Sequence, residues 1–218
     1  MPSKGSSEFY PYSQEKSSRE TNRERTMQKK ESTMKTIILC GSYRKKGNTA
    51  ELVQALENGL KDADKKNIKI KKISLSDSKI GPCRACLKCK SKGHCVIDDD
   101  FSKIATRMLQ SDLIILGSPV YFSDVSAPVK ALIDRTVSLW HTKQLKGKKL
   151  IVAAACAEYG AEHTIETMRH WAKDHEMEII SSIEGKGEHM GDVLKDEKAM
   201  DEVKKSVETV MKSLSSEQ

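Results

Sequence analysis

Five short apolar runs, each followed by a stretch with helical spacing, decide what this chain of 218 residues can fold into. The runs are Thr36–Cys40, Ile68–Leu75, Leu113–Gly117, Lys149–Ala155 and Glu178–Ile183. The helical stretches are expected over Thr49–Asp62, Asp99–Leu109, Ala127–Trp140, Glu162–Asp174 and Lys195–Leu214. The third and fourth runs are aliphatic throughout, as strands buried on both faces are. In the second run Ile68, Ile70 and Ile73 stand among lysines, which predicts an edge strand. Strands alternating with helices predict an α/β fold, a parallel sheet covered on both faces. The sheet order is then flavodoxin-like or Rossmann-like, and either order places ligands beyond the carboxyl ends of the strands.

The pattern begins at Met34. Residues 1–33 carry Ser, Glu, Lys and Arg with almost no aliphatic side chains. Such a segment cannot offset its ordering entropy by burial, so a disordered N-terminal extension is expected, with the folded domain over 34–218. No apolar run approaches membrane-spanning length and no signal segment opens the chain, which predicts a cytoplasmic protein without a membrane partner. The net charge of +7 raises nucleic acid as a partner, but Lys and Glu alternate along the helices. Only 5% of residues are aromatic, so few bases could be stacked, and no nucleic-acid partner is expected. A modest positive field also suits an anionic cofactor.

Three loops at the carboxyl ends of strands carry polar or aromatic residues. Loop one, Gly41–Thr49, has neither the dinucleotide-binding nor the triphosphate-binding glycine spacing. Ser42, Arg44, Gly47, Asn48 and Thr49 surround a helix start, where a phosphate monoester would meet backbone N–H groups and hydroxyls. An ordinary strand–helix turn capped by Asn48 uses the same residues. Loop two, Pro119, Val120, Tyr121 and Phe122, could lay a flat ring against an aromatic side chain; packing of these aromatics in the core or on another subunit is the alternative. Loop three, Ala155–Gly160, adds Tyr159 and Gly160. Together the three loops predict a cofactor cleft.

Four of the six cysteines fall within thirteen positions: Cys83, Cys86, Cys89 and Cys95, spaced C-x2-C-x2-C-x5-C in the segment 81–97. Thiolates this close in sequence can wrap one [4Fe–4S] cluster. Arg84, Lys88, Lys90 and Lys92 would offset its negative charge, and Gly93 permits the return to Cys95. A structural zinc ion, a redox disulfide, or no metal at all are the other readings. Cys40 and Cys156 read as small buried hydrophobes.

Gly41-Ser42-x-Arg44-x-x-Gly47-Asn48-Thr49, Gly117–Phe122 and Ser126–Arg135 resemble the NADPH-dependent FMN reductase branch of the flavodoxin-like superfamily, and most of all its iron–sulfur flavoproteins. The resemblance implies a flavodoxin-like, three-layer, doubly wound sheet of five parallel strands. It implies FMN, with Ser42, Arg44, Asn48 and Thr49 near the phosphate and Pro119–Phe122 near the isoalloxazine. It further implies homodimers or homotetramers with the flavin at the subunit interface. Loop three departs from the family, which is richer in Gly and Thr at this point.

The expected function is therefore an FMN-dependent oxidoreductase whose cluster passes electrons between a protein donor such as ferredoxin and an acceptor. An NAD(P)H-dependent FMN or quinone reductase without a cluster is the alternative, with NAD(P)H as a possible co-substrate. A non-catalytic flavin- or zinc-binding module is the third. The cofactor does the chemistry, so no side chain is nominated as catalytic.

Overall fold

The computed structural model describes residues 33–216. The expected extension, Thr33 apart, lies outside these residues. The strands are β1 (Met34–Cys40), β2 (Ile68–Ser74), β3 (Leu113–Tyr121), β4 (Asp124–Val125), β5 (Lys149–Cys156) and β6 (Glu178–Lys186). The helices are α1 (Asn48–Ala63), α2 (Lys88–Lys92), α3 (Phe101–Leu109), α4 (Ala127–Arg135), α5 (Val137–Trp140), α6 (Ala161–Asp174) and α7 (Glu197–Ser216), with a 3-10 turn at Asp192–Lys195.

Five strands pair in parallel in the order β2-β1-β3-β5-β6, and the two-residue β4 pairs antiparallel with the end of β3. This is the flavodoxin-like order, whose switch point lies between β1 and β3. The lysine-flanked β2 is at the edge.

Strand periodicity explains the layers. Ile37, Leu39, Ile114, Leu116, Leu150 and Val152 face a cluster that includes Met108 of α3, Leu132 of α4 and Trp171 of α6. Their neighbours Ile38, Ile115, Ile151 and Ala153 face the other side, against Leu52 and Leu56 of α1 and Val203 and Val210 of α7. Both faces are covered, so the central strands have no polar side to show.

Three boundaries differ from expectation, each for a local reason. The helix expected over Ala127–Trp140 is interrupted at Thr136, a buried residue whose hydroxyl donates to the Ile133 carbonyl oxygen at 2.6 Å. Strand β3 runs on to Tyr121 because β4 gives Val120 and Tyr121 a pairing partner. Strand β6 runs on to Lys186, paired through Gly185 and Lys186 with Ala155 and Cys156. Gly and Lys are poor strand formers, and sheet pairing overrides that preference.

Candidate functional site

Loop one is shaped by its own hydroxyl. Ser42 Oγ accepts from the Arg44 N–H at 3.2 Å and donates to the Arg44 carbonyl at 3.1 Å. Gly47, not Asn48 or Thr49, is the N-cap of α1, and no side chain caps the helix. The Asn48 amide is used elsewhere. Its Nδ2 donates to the Gly187 carbonyl at 2.7 Å and its Oδ1 accepts from the Val193 N–H at 3.3 Å. The capped-turn reading therefore fails: the first amides of α1 are left for another acceptor. Thr49 is only 2% exposed and lines the cleft described below.

Two buried serines hold loops one and two together. Ser126 Oγ donates to the Gly41 carbonyl at 3.0 Å, and Ser118 Oγ accepts from the Ser126 N–H at 2.9 Å. The result is a cleft of about 200 Å³ lined by Ser42, Arg44, Gly47, Asn48, Thr49, Pro119, Val120 and Tyr121, with Ala155–Ala157 of loop three. Arg44 supplies a cation to its wall.

A fourth segment completes this cleft and was not expected: Gly187, Glu188 and Met190, beyond β6. Asn48 is what brings it there. Met190 is 66% exposed. The run Gly185–Gly187 was the available signal, hidden because the strand was expected to stop at Ile183.

A second cavity of about 450 Å³ shares Val120, Cys156 and Ala157 with the first and adds Phe122, Ser123, Glu158 and Tyr159. Phe122 and Ser123 are the two turn residues between β3 and β4, with φ of 50° and 61°. This is the backbone of a two-residue hairpin turn that favours Asn-Gly. A phenylalanine held in the left-handed region is a costly choice and marks a site held for function. The turn leaves Phe122 fully exposed and Tyr121 48% exposed, so neither packs in the core. Gly160 lets loop three approach: its φ is 91°, and a Cβ there would lie 2.9 Å from Ser123 Oγ. Tyr159, 78% exposed, joins Phe122 on the wall of the slot. Cys156 is buried as expected yet lines both cavities; burial pushes its thiol pKa up, and Glu184 adds to this.

The residues present fit FMN. A helix start without a side-chain cap and the Thr49 hydroxyl on the cleft wall suit its phosphate, and an adjoining slot with aromatic walls suits its ring.

The cysteine segment lies on the other side of the molecule's α4 edge, beside a cavity of about 810 Å³. Cys83, Cys86, Cys89 and Cys95 all line it, with Ile133, Val137, Trp140 and Trp171 opposite. All four are free thiols. The segment is irregular apart from α2, and the backbone at Ala85, Leu87 and Gly93 is left-handed, with φ of 50°, 54° and 72°. Burial pushes the Cys89 thiol up, and the sulfurs of Cys95, Cys86 and Cys83 act in the same direction. Among the described residues, no three Cys, His, Asp or Glu groups converge as ligands of a metal ion. Four neighbouring soft donors fit an iron–sulfur cluster chemically.

The ends of the segment are fastened by residues that sequence reasoning did not single out for this. The run Asp98–Asp100 reads as a helix cap, but Asp100 caps nothing with its side chain. Its Oδ2 accepts from the Lys79 N–H at 2.8 Å instead. Asp99 does serve the helix start, its Oδ1 accepting from the Phe101 N–H at 3.0 Å, and it also accepts from the Gly81 N–H at 3.0 Å and from both Nη atoms of Arg135, at 2.6 and 3.0 Å. The Arg135 guanidinium holds the Asp99 carboxyl below the usual carboxylate range, against the effect of burial.

The cleft at the switch point puts this molecule among the flavin-dependent oxidoreductases, where side chains hold and tune a ring that carries the electrons. Residues 34–186 match the family of NADPH-dependent FMN reductases, and the chain belongs to that family. It is 38% identical over 149 residues to an iron–sulfur flavoprotein of Methanocaldococcus jannaschii, covering 67% of this chain and 76% of that one. It is 32% identical over 164 residues to an iron–sulfur flavoprotein of Methanosarcina thermophila, covering 73% and 82%. The fold is shared with an FMN-dependent NADH-azoreductase of Bacillus anthracis solved in complex with FMN: TM-score 0.60, 11% identity, 82% of this chain and 99% of that one.

Proposed function

We propose that this FMN-dependent oxidoreductase also carries a [4Fe–4S] cluster on Cys83, Cys86, Cys89 and Cys95. In this reading it passes electrons between FMN and a protein partner such as ferredoxin. The observation that carries the proposal is the set of four free thiols on one cavity wall. The names of the relatives point the same way.

When bound, FMN supplies one- and two-electron transfer and the cluster single-electron transfer. In the proposal the α1 amides and the Thr49 hydroxyl bind the phosphate, with Ser42 and Gly47 shaping the loop and Arg44 balancing charge. Asn48 holds the 187–193 segment against the cleft. Pro119, Val120, Tyr121, Phe122 and Tyr159 orient the ring and exclude water from its faces. The full exposure of Phe122 supports a homo-oligomer whose second subunit covers it. No helix among the described residues is long and apolar enough to cross a membrane. The free thiols support a reducing, cytoplasmic setting.

The test is anaerobic purification with FMN, iron, sulfide and zinc measured per chain. Near four iron and four sulfide per chain, with broad absorption near 400 nm, is the expected result. Flavin bands alone, with NADPH oxidation, would establish the second reading, a cluster-free reductase. The family's description favours that alternative.

A further inference from the structure

Arg135 is a fully buried cation, with no exposed side-chain surface. Its Nη1 donates to the Gly81 carbonyl at 2.8 Å and to Asp99 Oδ2 at 2.6 Å. Its Nη2 donates to Asp99 Oδ1 at 3.0 Å and approaches the Ile97 carbonyl at 3.5 Å. Gly81 lies two residues before Cys83, and Ile97 lies two residues after Cys95. One guanidinium therefore ties both ends of the cysteine segment to α4. It rests on the Phe101 ring, 4.7 Å from the centroid.

Stability alone does not account for this arrangement. A buried ion pair roughly breaks even against apolar residues of the same volume. Arg135 Nε, moreover, is buried without a hydrogen-bond partner. A buried donor left unpaired costs about 1–3 kcal/mol and calls for a reason. Arg135 lines the same cavity as the four cysteines. Asp99 holds the Arg135 pKa above its ordinary value against the opposing effect of burial.

We propose that Arg135 is the positioning residue of the cysteine segment: it closes residues 81–97 into a preformed loop and sets a buried cation on the cavity that the four cysteines line. This deepens the cluster reading and rests on it for its electrostatic half; the closing of the loop stands without it. A reduced cluster is more negative than an oxidised one. A buried cation beside a ligand therefore favours the reduced form and raises the potential.

The test compares full-length wild type, R135K and R135M, each loaded with FMN; FMN stoichiometry reports the fold. Hydrogen exchange over 81–97 is measured before iron and sulfide are supplied. Loss of iron to a chelator and the cluster's midpoint potential are measured afterwards. R135M is expected to lose exchange protection over 81–97 and to release iron roughly 10- to 100-fold faster. Its potential is expected to move to more negative values, and R135K to recover the potential better than the protection. Wild-type exchange, iron retention and potential in folded R135M would overturn the proposal. If the wild type takes up no iron or sulfide, the cluster reading and the electrostatic half both fail. The exchange result then decides the closure: unchanged protection in R135M overturns it and lost protection supports it. If R135M does not bind FMN, the D99N/R135M double variant, which removes both charges together, carries the exchange and iron-release readouts, and its potential is expected to stay near that of the wild type.

Discussion

Lowering the pH from 8 to 5 should cost the protein about 2 kcal/mol through one side chain, His175. His175 is 4% exposed, and its Nε2 lies 3.0 Å from Thr136 Oγ1. Trp171 Nε1 donates to the same oxygen at 2.8 Å, while the single hydroxyl hydrogen goes to the Ile133 carbonyl. The hydroxyl must accept from both rings, which places the His175 proton on Nε2. Nδ1 is then a buried acceptor with no partner. Protonating it would bury a charge and add a donor with nothing to donate to. Burial accordingly lowers the His175 pKa from 6.5 to about 4, although Asp174 pulls the other way.

The unfolded chain takes up this proton first as the pH falls, near 6.5, and the folded protein resists until about 4. The contribution is therefore fully present above 6.5 and drains away as the pH falls through that window, reaching about 3 kcal/mol below pH 4. Asp99 and Glu57, whose pKa values are also lowered, lose stability toward acid as well. The diagnostic is thus a difference between proteins rather than the slope itself. Urea unfolding at pH 8, 7, 6 and 5, at fixed saturating FMN, is compared between wild type and His175→Gln. Glutamine keeps an N–H within reach of Thr136 and does not titrate. Between pH 8 and 5 the variant should lose about 2 kcal/mol less than the wild type. Parallel losses in the two proteins would refute the assignment of a buried, neutral His175.

Thr49→Val keeps the shape of its site and removes the hydroxyl. FMN should bind roughly 10- to 100-fold more weakly, the worth of a hydrogen bond to a charged group, while riboflavin, which has no phosphate, binds as before. Calorimetric titration with both ligands checks this. Phe122→Gly relieves a left-handed φ worth about 1 kcal/mol and should raise the Tm of the flavin-free protein by about 2–4 °C. The same variant should release FMN faster, because the slot loses an aromatic wall. Gly160→Ala should cost about 1 kcal/mol or more in chemical denaturation, and it should weaken FMN binding as loop three is pushed off Ser123.

Most of the sheet was legible because its strands are aliphatic and its helices amphipathic, and both periods survive in the chain. The strand and helix pattern left the order β2-β1-β3-β5-β6 open against a Rossmann-like one; the family resemblance implied it, and the lysines interleaved through β2 agree with its edge position. Loop-level chemistry was less legible. Asn48 reads as a cap, since Asn caps helices, yet its amide bridges to Gly187 and Val193 across most of the sequence. Asp99 reads as a cap for the same reason and does accept from the Phe101 N–H, but it is also the partner of a buried arginine, which its local sequence does not show. In both cases a short polar side chain has several equally good local uses, and only tertiary proximity selects among them. The hairpin at Phe122–Ser123 was invisible because neither residue favours a left-handed backbone. The cysteines were found by spacing alone, but their burial differs: Cys89 is enclosed in α2 while Cys83 and Cys86 face solvent.

The bridge from Asn48 joins residues 139 and 145 positions apart. Loop one leaves the ribosome early, with its strand and helix, and can fold locally. The wall that closes its cleft arrives only after β6 has been made and docked. A nascent chain ending after β5 would therefore present the loop and its helix start without an enclosed pocket. Flavin capture then becomes a late event in synthesis, and a tightly held FMN certifies that the last strand is in place.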